Sequence, residues 1–278
     1  MRYRLIAADV DGTLVDDRRQ VPPAVREALA EACAAGCRLT LATGRMYASV
    51  LPFAEAVGTN APLILYNGAV LVERGSRRVT FRRCLPLGDA RLALTLLKNF
   101  PLHVNLYAGE DLYIERVTPA AMESMVKDGV TAEVVGDLVA FLREDPVKLL
   151  CIGEPADLEA FRLAFLEERA RRGLPGTSPH LVRSEETYLE VLPPGVNKGV
   201  ALTELARQLA IPLDGVVAFG DNLNDLEMLE AAGLGVAVGN AHPDLKARAD
   251  LVAGTNNEGG VAAVIREVVL ADAGGRRG

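Results

Sequence analysis

The sequence predicts an α/β protein, with a doubly wound, mainly parallel core sheet and an α+β block inserted into it. Three observations carry that prediction. Short apolar runs, polar turns and amphipathic stretches alternate in the outer segments, residues 1–84 and 189–278. Between them, over 85–188, strands and helices come in runs instead. Chemistry-bearing residues of the outer segments fall just past strand ends, where open α/β sheets bind ligands.

The first apolar run, Leu5-Ile6-Ala7-Ala8, reads as a buried strand and leads into Asp9-Val10-Asp11-Gly12-Thr13. Strand alternation would point Asp9 and Asp11 the same way. Two neighbouring carboxylates repel unless a cation or a shared proton relieves them. Gly12 permits a tight turn, and Thr13 offers a hydroxyl to tie it down.

A helix is expected over 22–35, opened by Pro22-Pro23, with Val25, Ala28, Leu29 and Ala32 on one face and Gly36 as its stop. A strand at 38–42 ends in Thr43-Gly44-Arg45, and a helix at 46–57 follows, perturbed by Pro52. A third strand, 63–66, ends in Asn67-Gly68. Residues 69–83 read as a hairpin around Glu73-Arg74-Gly75-Ser76.

In the middle block, helices are expected near 89–99, 119–127, 137–144 and 156–172. Strands are expected at 103–107, 112–115, 147–152, 181–183 and 188–192. The alternating pattern then resumes. Asn197 is placed to cap a helix over 198–208. The buried run Val216-Val217-Ala218-Phe219 ends in Gly220-Asp221-Asn222-Leu223-Asn224-Asp225. A short helix, strands at 235–238 and 250–252, and helices at 243–248 and 261–270 complete the pattern, with a frayed tail at 274–278.

Composition narrows the function classes. Half of the 278 residues are hydrophobic and 24% are charged, with a mean hydropathy of +0.17, which suits a compact globule. No apolar run approaches the length of a membrane span, and the apolar part of the start is too short for a signal peptide. A cytoplasmic protein without membrane partners is expected. A net charge of −7 argues against general nucleic-acid binding, which depends on positive fields. Cys33 and Cys37 lack nearby partners for a zinc site, and they read with Cys84 and Cys151 as small buried hydrophobes. His103, His180 and His242 are scattered.

Four separated segments offer complementary chemistry. The first brings Asp9 and Asp11; the second brings the Thr43 hydroxyl and the Gly44 amide. The third brings Lys198 at a helix start, where the dipole adds to its charge. It is one of five lysines beside 25 arginines, which fits a compact point charge being wanted there. The fourth brings Asp221, Asn224 and Asp225. Acids, a hydroxyl, an amine and helix N-termini together describe a site for Mg²⁺ and a phosphate group.

These motifs resemble those of the haloacid dehalogenase superfamily, specifically Cof-type phosphatases with a large α/β cap of the C2B type. The resemblance rests on Asp9-Val10-Asp11-Gly12-Thr13-Leu14, Thr43-Gly44-Arg45, Asn67-Gly68, Lys198 and Gly220-Asp221-Asn222-Leu223-Asn224-Asp225. Val238-Gly239-Asn240-Ala241 and Thr255-Asn256-Asn257-Glu258 are also similar to family members. Two departures are visible: Ala8 replaces a frequent aromatic, and Gly259 a frequent acid. Neither removes a reacting group.

The resemblance implies a Rossmann-like core at 1–84 and 189–278 and a cap at 85–188 that closes over the site. It implies Asp9 as the nucleophile that forms an aspartyl-phosphate, and Asp11 as acid and base. Thr43, Gly44, Lys198 and Asn224 would hold phosphoryl oxygens, with Arg45 and Asn67 either contacting substrate or serving as a loop salt bridge and a turn. Mg²⁺ would be held by Asp9, the Asp11 segment through a backbone carbonyl, and Asp221, with Asp225 ligating or orienting. The expected partner is a small phosphorylated metabolite, the expected state a monomer or homodimer. A phosphomutase using the same nucleophile is the nearest alternative, and a non-catalytic phospho-acceptor or binding module a more distant one. The second aspartate favours phosphate over halide chemistry, because a halide leaving group needs no acid.

Overall fold

The computed structural model describes residues 2–174 and 176–271; the tail expected at 274–278 lies outside the described residues. The chain divides into two compact units, Met1–Arg82 with Asn197–Gly278, and Arg83–Val196.

The first unit opens with β1 (Leu5–Ala8), α1 (Pro23–Ala34), β2 (Arg38–Leu41), α2 (Tyr47–Ala56), β3 (Leu63–Leu65), β4 (Val70–Val72) and β5 (Val79–Arg82). β1 is fully buried, as an all-apolar strand covered on both faces must be. α1 buries Val25, Ala28, Leu29 and Ala32, the stripe read from the sequence. α2 carries Pro52 within it.

The second unit follows with α3 (Leu87–Leu97), β6 (His103–Ala108), β7 (Asp111–Ile114), α4 (Pro119–Asp128), β8 (Glu133–Val134) and α5 (Leu138–Phe141). It ends with β9 (Lys148–Ile152), α6 (Pro155–Arg172), β10 (His180–Glu185) and β11 (Tyr188–Leu192). Its six-stranded sheet has the order β10-β11-β9-β6-β7-β8. Alternate residues of the central strands (Leu106, Leu149, Cys151, Leu189 and Val191) share a core with Phe161 and Phe165 of α6. The residues between them point to the other face. There Lys148 and Glu190 form a buried ion pair at 2.7 Å, and Asn105 donates to Ser124 of α4 at 3.0 Å.

The chain returns to the first unit with α7 (Lys198–Gln208), β12 (Val216–Gly220), α8 (Leu226–Ala231), β13 (Leu234–Ala237), α9 (Pro243–Lys246), β14 (Leu251–Val252) and α10 (Gly260–Val264). Five parallel strands form the core sheet in the order β14-β13-β12-β1-β2. β1 and β12 are adjacent, so the two acidic strand ends lie side by side, although more than 200 residues apart in the chain.

Three sequence expectations are corrected. β3 joins an antiparallel sheet with β4 and β5, and it meets the end of β2 through the parallel Ala42–Ile64 bridge, where the Thr43 N–H donates to the Ile64 carbonyl at 2.9 Å. Its apolar run cannot distinguish the two pairings. The strand at 188–192 belongs to the second unit, because β11 pairs with β9 and β10, so that unit runs to Val196 rather than 188. The helix expected over 137–144 is the single turn of α5. Among the described residues no helix is long and apolar enough to cross a membrane.

Candidate active site

Asp9 closes β1: its N–H donates to the Phe219 carbonyl at 3.0 Å, which extends the β1–β12 pairing by one step. The chain then leaves the strand. A wide turn over Val10–Leu14 is closed by the Val15 N–H on the Val10 carbonyl at 3.1 Å. Gly12 has φ +79°, and a Cβ there would lie 2.5 Å from Asp221 Oδ2. Only glycine satisfies both conditions. Asn240 donates to the Gly12 carbonyl at 2.7 Å and Asn256 to the Val15 carbonyl at 2.9 Å, fixing the turn from the loops that follow β13 and β14.

The chain leaves the strand here, so simple alternation no longer describes how Asp9 and Asp11 are related, although Asp11 still acts on Asp9 as one of the acids that raise it. Asp11 faces Arg45, whose guanidinium forks onto both its oxygens at 2.7 and 2.6 Å. Arg45 is buried, braced by Ser49 at 2.6 Å and lying over the Phe53 ring. The loop salt bridge, one of the two readings left open for Arg45, is present in this geometry.

The carboxylate neighbours of Asp9 are Asp221 and Asp225, whose oxygens with those of Asp9 lie within 4.8 Å of one another. Lys198, at the first position of α7, is buried and donates to Asp9 Oδ1 at 2.7 Å and to Asp225 Oδ1 at 2.5 Å. Burial alone would push its ammonium down, but Asp225 and Asp9 outweigh that and hold it above the ordinary lysine range. Asp9 is driven well above the usual carboxylate range by burial; Lys198 pulls it back, and the other acids push it further up. Asp221 is pushed up to about 6 by burial and by Asp225, against the Thr13 hydroxyl that donates to its Oδ1 at 3.0 Å.

Three carboxylates thus share one ammonium. Acids packed this closely repel unless a shared proton or a cation relieves them. This donor set fits a hard divalent cation, which prefers oxygen ligands and would restore the charge balance. Asp225 belongs to this cluster and also has contacts that suit the orienting role. Its Oδ2 accepts the N–H groups of Asp221 and Asn222 at 3.0 and 3.1 Å, and its Oδ1 takes Lys198. It orients the loop and the lysine.

The remaining site residues gather around the same strand ends. The Thr43 hydroxyl accepts the Arg45 N–H at 3.2 Å, and the Thr43 carbonyl accepts the Asn67 N–H at 2.9 Å. Gly44, beside them, is half-buried. Tyr66, Asn67 and Gly68 take φ of +52°, +54° and +99° in succession. A Cβ on Gly68 would fall 2.2 Å from the Asn197 carbonyl oxygen, so glycine lets this turn lie against the start of α7. Asn197 caps that helix through the Val200 N–H at 2.7 Å. Asn224 donates to Asn67 Oδ1 at 3.1 Å, tying the β3 and β12 loops together. Sequence reasoning left Thr13, Asn240 and Asn256 out of the site. Each sat in a stretch already singled out, but a hydrogen bond spanning over 200 residues has no local signature.

The model of the haloacid dehalogenase-like hydrolase family matches residues 6–265. Phosphatase YwpJ of Bacillus subtilis is 31% identical over 286 residues, covering 96% of this chain and all of the relative. Pyridoxal phosphate phosphatase YbhA of Escherichia coli is 30% identical over 275 residues, covering 95% of this chain and 98% of the relative. A crystal structure of a haloacid dehalogenase-like hydrolase from Bacteroides thetaiotaomicron superposes with a TM-score of 0.84 at 27% identity, covering 96% of this chain and 99% of that one. A match of that extent, on a sheet whose strand ends gather these acids and this lysine, establishes that the chain belongs to the haloacid dehalogenase-like hydrolase family.

Proposed function

We propose that the protein is a Mg²⁺-dependent phosphatase that hydrolyses a small phosphomonoester through an aspartyl-phosphate on Asp9. The observation that carries this reading is the cluster at the ends of β1 and β12: Asp9, Asp221 and Asp225 around the buried Lys198. Lys198 holds Asp9 Oδ1 and fixes the carboxylate's rotation, which leaves its other oxygen to attack phosphorus. The same ammonium then offsets phosphoryl charge as the bond to the leaving oxygen breaks, supported by the Thr43 hydroxyl, the Gly44 amide and Asn224. Asp225 keeps Lys198 aimed at Asp9.

Asp9, the Asp11 backbone carbonyl and Asp221 would hold the metal, with Thr13 fixing the Asp221 carboxylate. When bound, Mg²⁺ supplies the positive charge that lets an anionic nucleophile approach an anionic phosphate. Asp11 protonates the leaving alkoxide and then takes a proton from the water that hydrolyses the aspartyl-phosphate. Both its oxygens engage Arg45, so this role requires the side chain to turn out of that fork. Asn67 acts through Asn224 rather than on the substrate.

A relative that acts on pyridoxal phosphate supports a phosphorylated metabolite or cofactor as the substrate class. Hydrolysis of p-nitrophenyl phosphate with Mg²⁺ tests the chemistry, with EDTA and the Asp9→Asn variant beside it. Activity that survives either treatment overturns the reading. A panel of sugar phosphates, nucleotides and phosphorylated cofactors then resolves the substrate.

A further inference from the structure

At the opposite end of the first unit's sheet from Asp9 lies a groove of about 870 Å³, large enough for a small metabolite. Its position follows from chain direction. Arg38 begins β2, which ends toward Thr43, and the residues before β3 line the floor. One wall is the turn between β4 and β5; the other is the last turn of α7, whose first residue is Lys198.

Four arginines and two glutamates line this groove, and the charges do not cancel. Glu73 is taken by the Arg78 fork and by Ser76. Glu204 is taken by Arg207, at 2.8 and 2.7 Å, and by Gln208. Among the described residues, neither Arg38 nor Arg74 is paired with a carboxylate. Arg74, in the groove lining, donates its Nε to the Thr59 carbonyl at 3.2 Å, which anchors the side chain there. Two unneutralised guanidiniums share one concave site in a chain whose net charge is −7. Guanidinium forks match the oxygens of phosphate and carboxylate, and like charges held together are relieved by an anion between them.

We infer that this groove binds a small polyanionic metabolite, bearing phosphate or several carboxylates, at a site separate from the Asp9 cluster. Arg38 and Arg74 hold its charge. The inference does not depend on the phosphatase reading, because the groove shares no side chain with that site.

The test is calorimetric titration of the full chain, stripped of metal by chelation and then exchanged into chelator-free, metal-free buffer, so that no metal supports anion binding at the carboxylates. Inorganic pyrophosphate and citrate serve as separate probes, and their relative affinities tell a phosphate ligand from a carboxylate one. Saturable binding of either is expected for the wild type and for Asp9→Asn. Arg38→Glu should weaken it about tenfold or more, since a charge-assisted fork becomes a repulsion. Arg26→Glu, the same charge change on an exposed residue of α1, should leave it within about twofold. Arg38 is the decisive position because its side chain makes no hydrogen bond among the described residues, so its loss spares the fold. Arg74→Ser, checked by thermal melting, is the second variant. The proposal is overturned by an absence of saturable binding below about 10 mM, by equal weakening in Arg38→Glu and Arg26→Glu, or by loss of binding in Asp9→Asn.

Discussion

Two buried lysines, one in each unit, show how charge balance separates chemistry from architecture. Lys148 faces Glu190 across β9 and β11 at 2.7 Å, one cation to one anion, both almost wholly buried. Lys198 faces Asp9 and Asp225, with Asp221 beside them. The first pair sets one charge directly against its opposite. The second cluster carries surplus negative charge, and burial together with that charge raises Asp9 well above the usual carboxylate range and Asp221 to about 6. Burying unbalanced charge costs free energy, and a fold keeps such a cluster where a ligand completes it.

That contrast predicts opposite responses to losing an acid. Asp9→Asn should lower phosphatase turnover roughly a thousandfold or more, because the nucleophile is gone. Its melting temperature should hold or rise, since Lys198 keeps Asp225 and one repelling charge leaves. Steady-state kinetics and a melt on the same sample decide it; a variant that is both active and destabilised would break the comparison. Glu190→Gln should do the reverse in stability. It strands the Lys148 ammonium in a buried site, at a cost of roughly 3 kcal/mol. Replacing both residues with apolar ones should recover most of that in denaturant unfolding. If the single variant were neutral, the pair would not be the balanced structural element described here.

A finer contrast lies inside the cluster. Thr13 holds Asp221, the acid that carries no bond to Lys198 in this structure. Thr13→Val keeps the shape and removes that hydroxyl, so Mg²⁺ affinity should fall about tenfold, as for other groups that orient a ligand from behind. Metal titration with an activity readout measures it. An unchanged affinity would remove Asp221 from the proposed ligands or show that its orientation is set elsewhere.

The sequence made legible what is local. Apolar runs gave β1, β2 and β12, Asn197 announced the start of α7, and the acids past the strands pointed to the sheet edge where they lie. What it hid depended on leaving a regular element or on distance. The turn at Gly12 swings Asp11 to Arg45, and no alternation rule survives such a turn. The two N–H groups that occupy Asp225 come from its own loop, yet loop geometry is invisible in a string of polar residues. β3 has the composition of a parallel core strand, yet its ladder is antiparallel, because the Asn67–Gly68 turn folds β4 directly back on it, and its parallel contact with the β2 end is a single bridge. β8, two residues long, offers no periodicity to read.

The smallest effect follows from Asp221 alone. Its carboxyl sits at about 6 in the folded chain, above the ordinary aspartate value. A group raised on folding contributes stability that is full below its unfolded pKa and is lost as pH rises through the folded one. Metal-free protein should therefore lose thermal stability between about pH 4 and pH 7 on account of this residue, before other groups are counted. A bound divalent cation replaces the proton, so the stabilisation by Mg²⁺ should be small near pH 5 and grow through pH 6 to 7, by a few degrees in melting temperature. Paired melts with EDTA and with saturating Mg²⁺ across that range isolate the effect. Asp221→Asn should flatten the pH dependence of the difference, whereas Glu190→Gln should leave it unchanged while lowering both curves together. Were the Mg²⁺ increment independent of pH in the wild type, the surplus charge would be relieved by something other than a cation at these carboxylates, and the distinction between the two lysines would lose its basis.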